Sequence, residues 1–217
     1  MSRTVRWSLA LMVLAVAVAS ALPSQAAVIF VFNTVATGEP PGGSAPWARL
    51  TIQNHATNQV KFTLDTYLLT NEFVGQLRLN LSPYQTVSLH ATSVTGLSLQ
   101  QSGDNGEQGF DILLDFPNQP SKRVKGTALV WWILSGSGLD ETRFNALSVH
   151  PGVNGNRLAM LHIQNIGGDN NGDGRREGSG KIVPNLQPQG GVIPEPATLL
   201  LFGMGLAAPL AARWRKR

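Results

Sequence analysis

An all-β domain, a β-sandwich or jelly roll with one helical segment at each end, is the fold that the sequence predicts. Two observations carry that reading. In the middle of the chain the apolar residues recur at every second position, not every third or fourth. The long uncharged apolar stretches that would suit helices lie only near the two ends, at residues 9–19 and 197–212.

The strands follow in order. Val28-Ile29-Phe30-Val31-Phe32 reads as the first, and the Pro- and Gly-rich stretch 38–44 after it as a loop. Trp47, Leu50 and Ile52 mark the next strand. Val60, Phe62 and Leu64 alternate with Lys61, Thr63 and Asp65, and Leu77, Leu79 and Leu81 alternate with Gln76, Arg78 and Asn80. Val87 and Leu89, then Leu97 and Leu99, then Phe110, Ile112 and Leu114 continue the pattern. Residues 128–134 form an apolar run with Trp131 and Trp132, which predicts a central strand buried on both faces. Leu158, Met160 and Leu161 lead into His162-Ile163-Gln164-Asn165-Ile166. Residues 167–191, rich in Gly and Asn and poor in apolar side chains, read as a flexible linker.

The N-terminus reads as a secretory signal peptide, residues 1–26. Arg3 and Arg6 precede the apolar run, Pro23 ends it, and Ser24-Gln25-Ala26 places small residues where a signal peptidase inspects them. The predicted cut follows Ala26 and leaves Ala27 first, with Ala27 and Ala21 as alternative cleavage positions. The chain has no cysteine, so this exported domain has no disulfides and no thiol chemistry. Six of the 17 Lys and Arg residues lie in the two end segments. The remaining middle is close to neutral and slightly acidic, which argues against a nucleic-acid partner.

Residues 192–217 have three parts. Pro194-Glu195-Pro196 is an extended tripeptide that excludes helix. Residues 197–212 then predict a helix of 16 residues, about 24 Å long, against a hydrocarbon core of about 30 Å. Arg213, Arg215, Lys216 and Arg217 close the chain with Trp214 among them, a basic stop that should stay cytoplasmic. This arrangement resembles the PEP-CTERM sorting domain of exosortase substrates. The resemblance implies cleavage near the motif by a membrane-embedded exosortase, then transfer to the cell surface or release, often alongside exopolysaccharide. Pro209 inside the apolar stretch departs from an ideal span. More loosely, Leu50-Thr51-Ile52, Val60-Lys61-Phe62-Thr63-Leu64, Phe110-Asp111-Ile112 with Phe116-Pro117, and the segment from His162 to Gly167 resemble phrases of other PEP-CTERM proteins. Their middle domains are sandwiches by prediction and have no established activity.

Candidate chemistry in the middle is sparse. Asp169, Asn171, Asp173 and Glu177 fit the first nine positions of a calcium loop, but the twelfth is Gly180 and not the bidentate Glu. Little effect of calcium is therefore expected. His55, His90, His150 and His162 have no metal-ligand spacing. Asp65, Asp111 and Asp115 are the candidate acids for glycoside hydrolysis, and no hydrolase motif accompanies them. Adjacent Trp131 and Trp132 must point to opposite faces of their strand. One is expected in the core; the other is the candidate for stacking on a sugar, as is Trp47. The resulting expectation is a non-enzymatic envelope or extracellular-matrix protein, structural or adhesive and linked to exopolysaccharide. The alternative is a carbohydrate-binding module, and after it a glycan hydrolase.

Overall fold

A computed structural model describes residues 27–101, 109–148, 156–167 and 178–185. These residues form eleven strands and one short 3-10 turn. The strands are β1 (Ala27–Gly38), β2 (Ala48–Ala56), β3 (Gln59–Tyr67), β4 (Phe73–Leu79), β5 (Ser88–Thr92) and β6 (Ser98–Gln101). There follow β7 (Ile112–Asp115), β8 (Val124–Lys125), β9 (Thr127–Ser135), β10 (Ala159–Ile166) and β11 (Gly178–Pro184). The 3-10 turn, Glu141–Phe144, follows β9 and is capped by Asp140, whose carboxylate accepts from the Thr142 amide. Hydrogen bonds from Thr142 hold the Asp140 carboxyl below the usual carboxylate range. Among the described residues no helix is long and apolar enough to cross a membrane. The predicted signal and sorting helices lie outside the described residues.

All-β character follows from the period-two pattern, but the architecture is not two separate sheets. The strands pair in one path, β5-β9-β3-β2-β1-β11-β10-β4-β7-β6, with β8 added to β4. The reason lies in β1. Its residues 27–32 pair with β2, and its residues 32–38 pair with β11 across two register shifts. A bulged strand bends and twists more strongly, so the sheet turns a corner there without breaking its ladder. At the far edges, the Val87 amide donates to Gln101 Oε1 (3.0 Å), and Gln101 Nε2 donates to the Gln85 carbonyl (3.2 Å). The sheet therefore curls until β5 and β6 approach, nearly a barrel.

Alternation then fixes what goes inside. Leu50 and Ile52 of β2, and Val60, Phe62 and Leu64 of β3, are buried, as are Trp132 and Leu134 of β9. Phe62 stacks on Trp132 with centroids 5.3 Å apart, Phe144 meets Phe62 edge-on at 4.9 Å, and Phe116 meets Trp132 edge-on at 5.9 Å. Such offset and edge-on pairs are worth roughly 0.5–1.5 kcal/mol each beyond their buried area. They tie both halves of the sheet and the 3-10 turn to one center.

Two expectations change here. First, residues 128–134 are not buried on both faces. Trp132 is in the core, but Leu129 is 69 % exposed and Trp131 is half-buried. The strand β9 lies beside the short edge strand β5, and nothing among the described residues packs over its outer side at Leu129. Second, the linker assigned to 167–191 contains β11, which sits between β1 and β10. Its Gly-Ser-Gly start reads as loop, yet the glycines are needed for close approach. A Cβ on Gly180 would lie 2.0 Å from the Glu39 carbonyl oxygen, and one on Gly178 2.5 Å from the Ile166 carbonyl oxygen. Ile182 and Val183, fully buried, then face opposite sides of the sheet. Ile182 joins the main core, while Val183 joins a small cluster with Phe110 and Met160.

Candidate functional site

The acids assigned to hydrolysis are dispersed and structurally engaged. Asp65, on the outer face of β3, accepts from the Tyr67 hydroxyl at 2.7 Å. That bond, together with burial, raises the Tyr67 phenol above its ordinary value. Asp111 is buried and accepts from the Leu81 amide at 2.8 Å. Asp115, at the end of β7, accepts from Gln76 Nε2 (2.8 Å) and Gln100 Nε2 (2.7 Å). Asp115 stands four positions beyond Asp111, about 13 Å at 3.3 Å per residue. A glycosidase pair stands roughly 5–9.5 Å apart, so β7 does not present one.

Asp169, Asn171, Asp173 and Glu177 lie outside the described residues, as does His150. Gly180, the twelfth loop position, is a strand residue paired with Gly38 and Ile163. His55 and His90 are exposed on β2 and β5, and His162 is half-buried on β10. Among the described residues no three His, Cys, Asp or Glu side chains converge.

The tryptophans divide as alternation requires. Trp47 is buried just before β2; its amide donates to the Phe32 carbonyl (3.0 Å) and its carbonyl accepts from the Tyr67 amide (2.8 Å). Trp132 fills the core. Trp131 faces out, opposite Thr63 of β3, with Lys61 Nζ 5.4 Å from its ring centroid. Leu129 and the 40 % exposed Tyr67 continue this face along β9 and β3. The indole is held in place through its backbone: the Trp131 amide donates to Ser93 Oγ (2.8 Å), and its carbonyl accepts from the Ser93 amide (2.9 Å).

A second feature was not marked by periodicity. On the inner side of β9, a cleft of about 290 Å³ opens between the segment after β5 and the segment 121–125. Ala128 and Val130 form part of its floor, and Lys122, Arg123 and Lys125 stand around it. The run Lys122-Arg123-Val124-Lys125 is its sequence signal, three cations in four residues.

A family model described as the PEP-CTERM protein-sorting motif matches residues 192–216. The chain carries a PEP-CTERM sorting motif. Its match contains Pro194, Glu195 and Pro196 and most of the basic end, Arg213, Arg215 and Lys216; Arg217 falls one residue beyond. The PEP-CTERM motif makes this an exported protein, a substrate of exosortase-type sorting whose precursor is anchored in a membrane before processing. The motif, the basic end and Ala26 lie outside the described residues, while Ala27 is the first residue of β1. No curated protein and no solved structure matches the chain.

Proposed function

We propose that the protein is a non-enzymatic component of the cell envelope or extracellular matrix, structural or adhesive, and associated with exopolysaccharide. The single observation that carries this reading is the sorting motif at residues 192–216. On this reading a signal peptidase cuts after Ala26, the domain stands in the periplasm, and residues 197–212 hold the precursor in the inner membrane. An exosortase then cuts near Pro194-Glu195-Pro196, and the domain reaches the cell surface or the medium. The described carboxylates favour a structural role over hydrolysis. Asp65, Asp111 and Asp115 each hold a fold contact, and the buried Glu72 accepts from the Gly42 amide (2.8 Å) and the Leu69 amide (3.1 Å). No resident cofactor is proposed. The melting temperature is expected to stay within about a degree when millimolar calcium is added, because the twelfth-position acid that supplies two ligand oxygens is missing. A large rise that Asp169→Ala abolishes would establish calcium as a ligand.

The test of the main reading is fractionation of the native host with mass spectrometry of the mature ends. The expected protein starts at Ala27, within a residue or two, ends near the Pro-Glu-Pro motif, and lies outside the inner membrane. Recovery of chains that begin at Met1 and keep Arg217 would overturn it.

The second reading, a carbohydrate-binding module, is favoured by one observation: the half-buried Trp131 with Leu129 and Tyr67 on one sheet face. Aromatic faces on the outer side of a sheet offer a platform on which the apolar side of a sugar ring can stack. Trp131→Ala is expected to cost less than about 1 kcal/mol of stability, as a surface change, and to abolish any signal for neutral sugars on a glycan array. Binding that persists in the variant removes Trp131 from the platform.

A further inference from the structure

The cleft behind β9 has a composition that sets it apart from the near-neutral middle of the chain. Its charged lining residues are Lys122, Arg123 and Lys125, with no carboxylate among them. None of the three forms an ion pair with another described residue. The hydroxyls of Thr95 and Ser121 stand at its sides. Its floor is aliphatic: buried Val94 and Val124, half-buried Ala128 and Val130. No aromatic ring lines it. At about 290 Å³ it matches the lower end of small-molecule sites, near 300 Å³.

The fold holds the Arg123 side chain and the backbone of the segment that bears the lysines. The Arg123 guanidinium lies over the ring of buried Phe73, with Cζ 4.0 Å from the centroid, and its Nε–H donates to the Asn118 carbonyl at 2.8 Å. Both contacts use one face and one edge of the guanidinium. The terminal amino groups have no partner among the described residues. The Lys122 amide closes a turn onto the Gln119 carbonyl (2.8 Å). Val124 pairs with Val74 of β4, and Gly126, at φ +60°, donates its amide to the Glu72 carbonyl (3.0 Å) and accepts from Thr66 Oγ1 (2.7 Å). The segment bearing the cations is thus pinned at both ends, while the Lys122 and Lys125 side chains remain exposed.

We propose that this cleft is a binding site for an acidic, uronate-bearing polysaccharide. The sugar carboxylate pairs with the exposed Lys122 and Lys125, charge-assisted contacts that are stronger than neutral ones. The ring hydroxyls meet Thr95 and Ser121, and the apolar ring face lies on the Val94, Val124 and Val130 side chains. A lone phosphate uses the cations but leaves that floor uncovered. Single-stranded nucleic acid calls for aromatic platforms, which the cleft lacks. The choice of a polysaccharide rests on the proposed matrix role.

The test uses the full-length protein purified in detergent, titrated with alginate oligomers, dextran oligomers, inorganic phosphate and polyglutamate. Alginate is expected to bind, with an affinity that falls steeply as salt rises, and dextran is not. The double variant Lys122→Ala/Lys125→Ala is expected to weaken alginate binding about tenfold, as loss of two charge-assisted contacts predicts. Lys122→Arg/Lys125→Arg is expected to retain it, and Trp131→Ala to leave it unchanged. Both lysines are exposed, so the melting temperature serves as the control for folding, and the two single substitutions give the same readout at smaller size. Absence of alginate binding overturns the proposal, as does binding that the double variant leaves intact. Equal binding of polyglutamate or phosphate overturns the polysaccharide assignment. The titration reads purified, unsorted protein. A negative result leaves the sorting reading standing, and a failure of sorting leaves the cleft standing.

Discussion

Replacing Pro194-Glu195-Pro196 by three alanines is expected to leave an unprocessed, membrane-bound precursor in a host with an exosortase. A site read by a membrane enzyme must be extended and accessible. Two prolines around one residue enforce that, because each removes an amide donor and each disfavours helix in the residue before it. Alanine is the best helix former, so in the triple variant the helix expected over residues 197–212 is expected to continue outward through the site. The change also removes the Glu195 carboxylate, the one charge between Lys181 and Arg213. Replacing Arg213, Arg215, Lys216 and Arg217 with neutral residues is expected to act differently. Without a cytoplasmic positive cluster the short apolar stretch loses its stop, and uncut protein escapes retention. Immunoblots of membrane and medium fractions separate these outcomes, and a host without exosortase should leave the wild type uncut as well. A triple-alanine chain that is cut and sorted like the wild type would reduce the tail to an ordinary anchor.

Ile182→Asp is expected to unfold the domain or bring it close to unfolding. Ile182 is fully buried in β11, opposite Val35 of β1 and Leu161 of β10. An aspartate there loses the transfer energy of the isoleucine and places a carboxylate among Val, Leu and Phe side chains. The loss is expected to be on the order of 4 kcal/mol or more, from burying an unpaired polar group and removing a large side chain. Whole-domain stabilities are about 5–15 kcal/mol. Ile182→Val, which removes one methylene, should cost about 1 kcal/mol. Urea denaturation followed by tryptophan fluorescence measures both, since Trp132 reports on the same core. If Ile182→Asp melts with the wild type, residues 178–184 are a dispensable linker and β11 is not part of the sheet.

Much of the sheet was legible because exposure of one face writes itself into alternation. The stretches around Phe30, Ile52, Phe62, Leu77, Ile112 and Ile163 all became strands. Those that escaped did so for definite reasons. The strand β8 has only two residues, Val124 and Lys125, too short for any period. In β11 the first three residues are Gly, Ser and Gly, and the next four, Lys181, Ile182, Val183 and Pro184, show no alternation because Ile182 and Val183 are buried on opposite faces. The run 128–134 misled in the other direction. Its composition is that of a strand covered on both sides, but nothing among the described residues packs over its outer face at Leu129.

The sequence by itself determined the address of this protein. Sorting signals are read as linear chain, by enzymes that meet an extended tripeptide, an apolar stretch and a charge cluster in order, so no folding is needed to recognise them. It also determined that Trp131 and Trp132 part company, since neighbours on a strand cannot share a face. Only the tertiary structure decided which of the two is buried, because that depends on which side of β9 the curled sheet encloses. Only it brought Val94, from the segment after β5, to Lys122 and to Lys125 of β8, about thirty positions apart in the chain. Contacts between distant segments depend on how strands pair across the sheet, and local periodicity carries no record of that pairing.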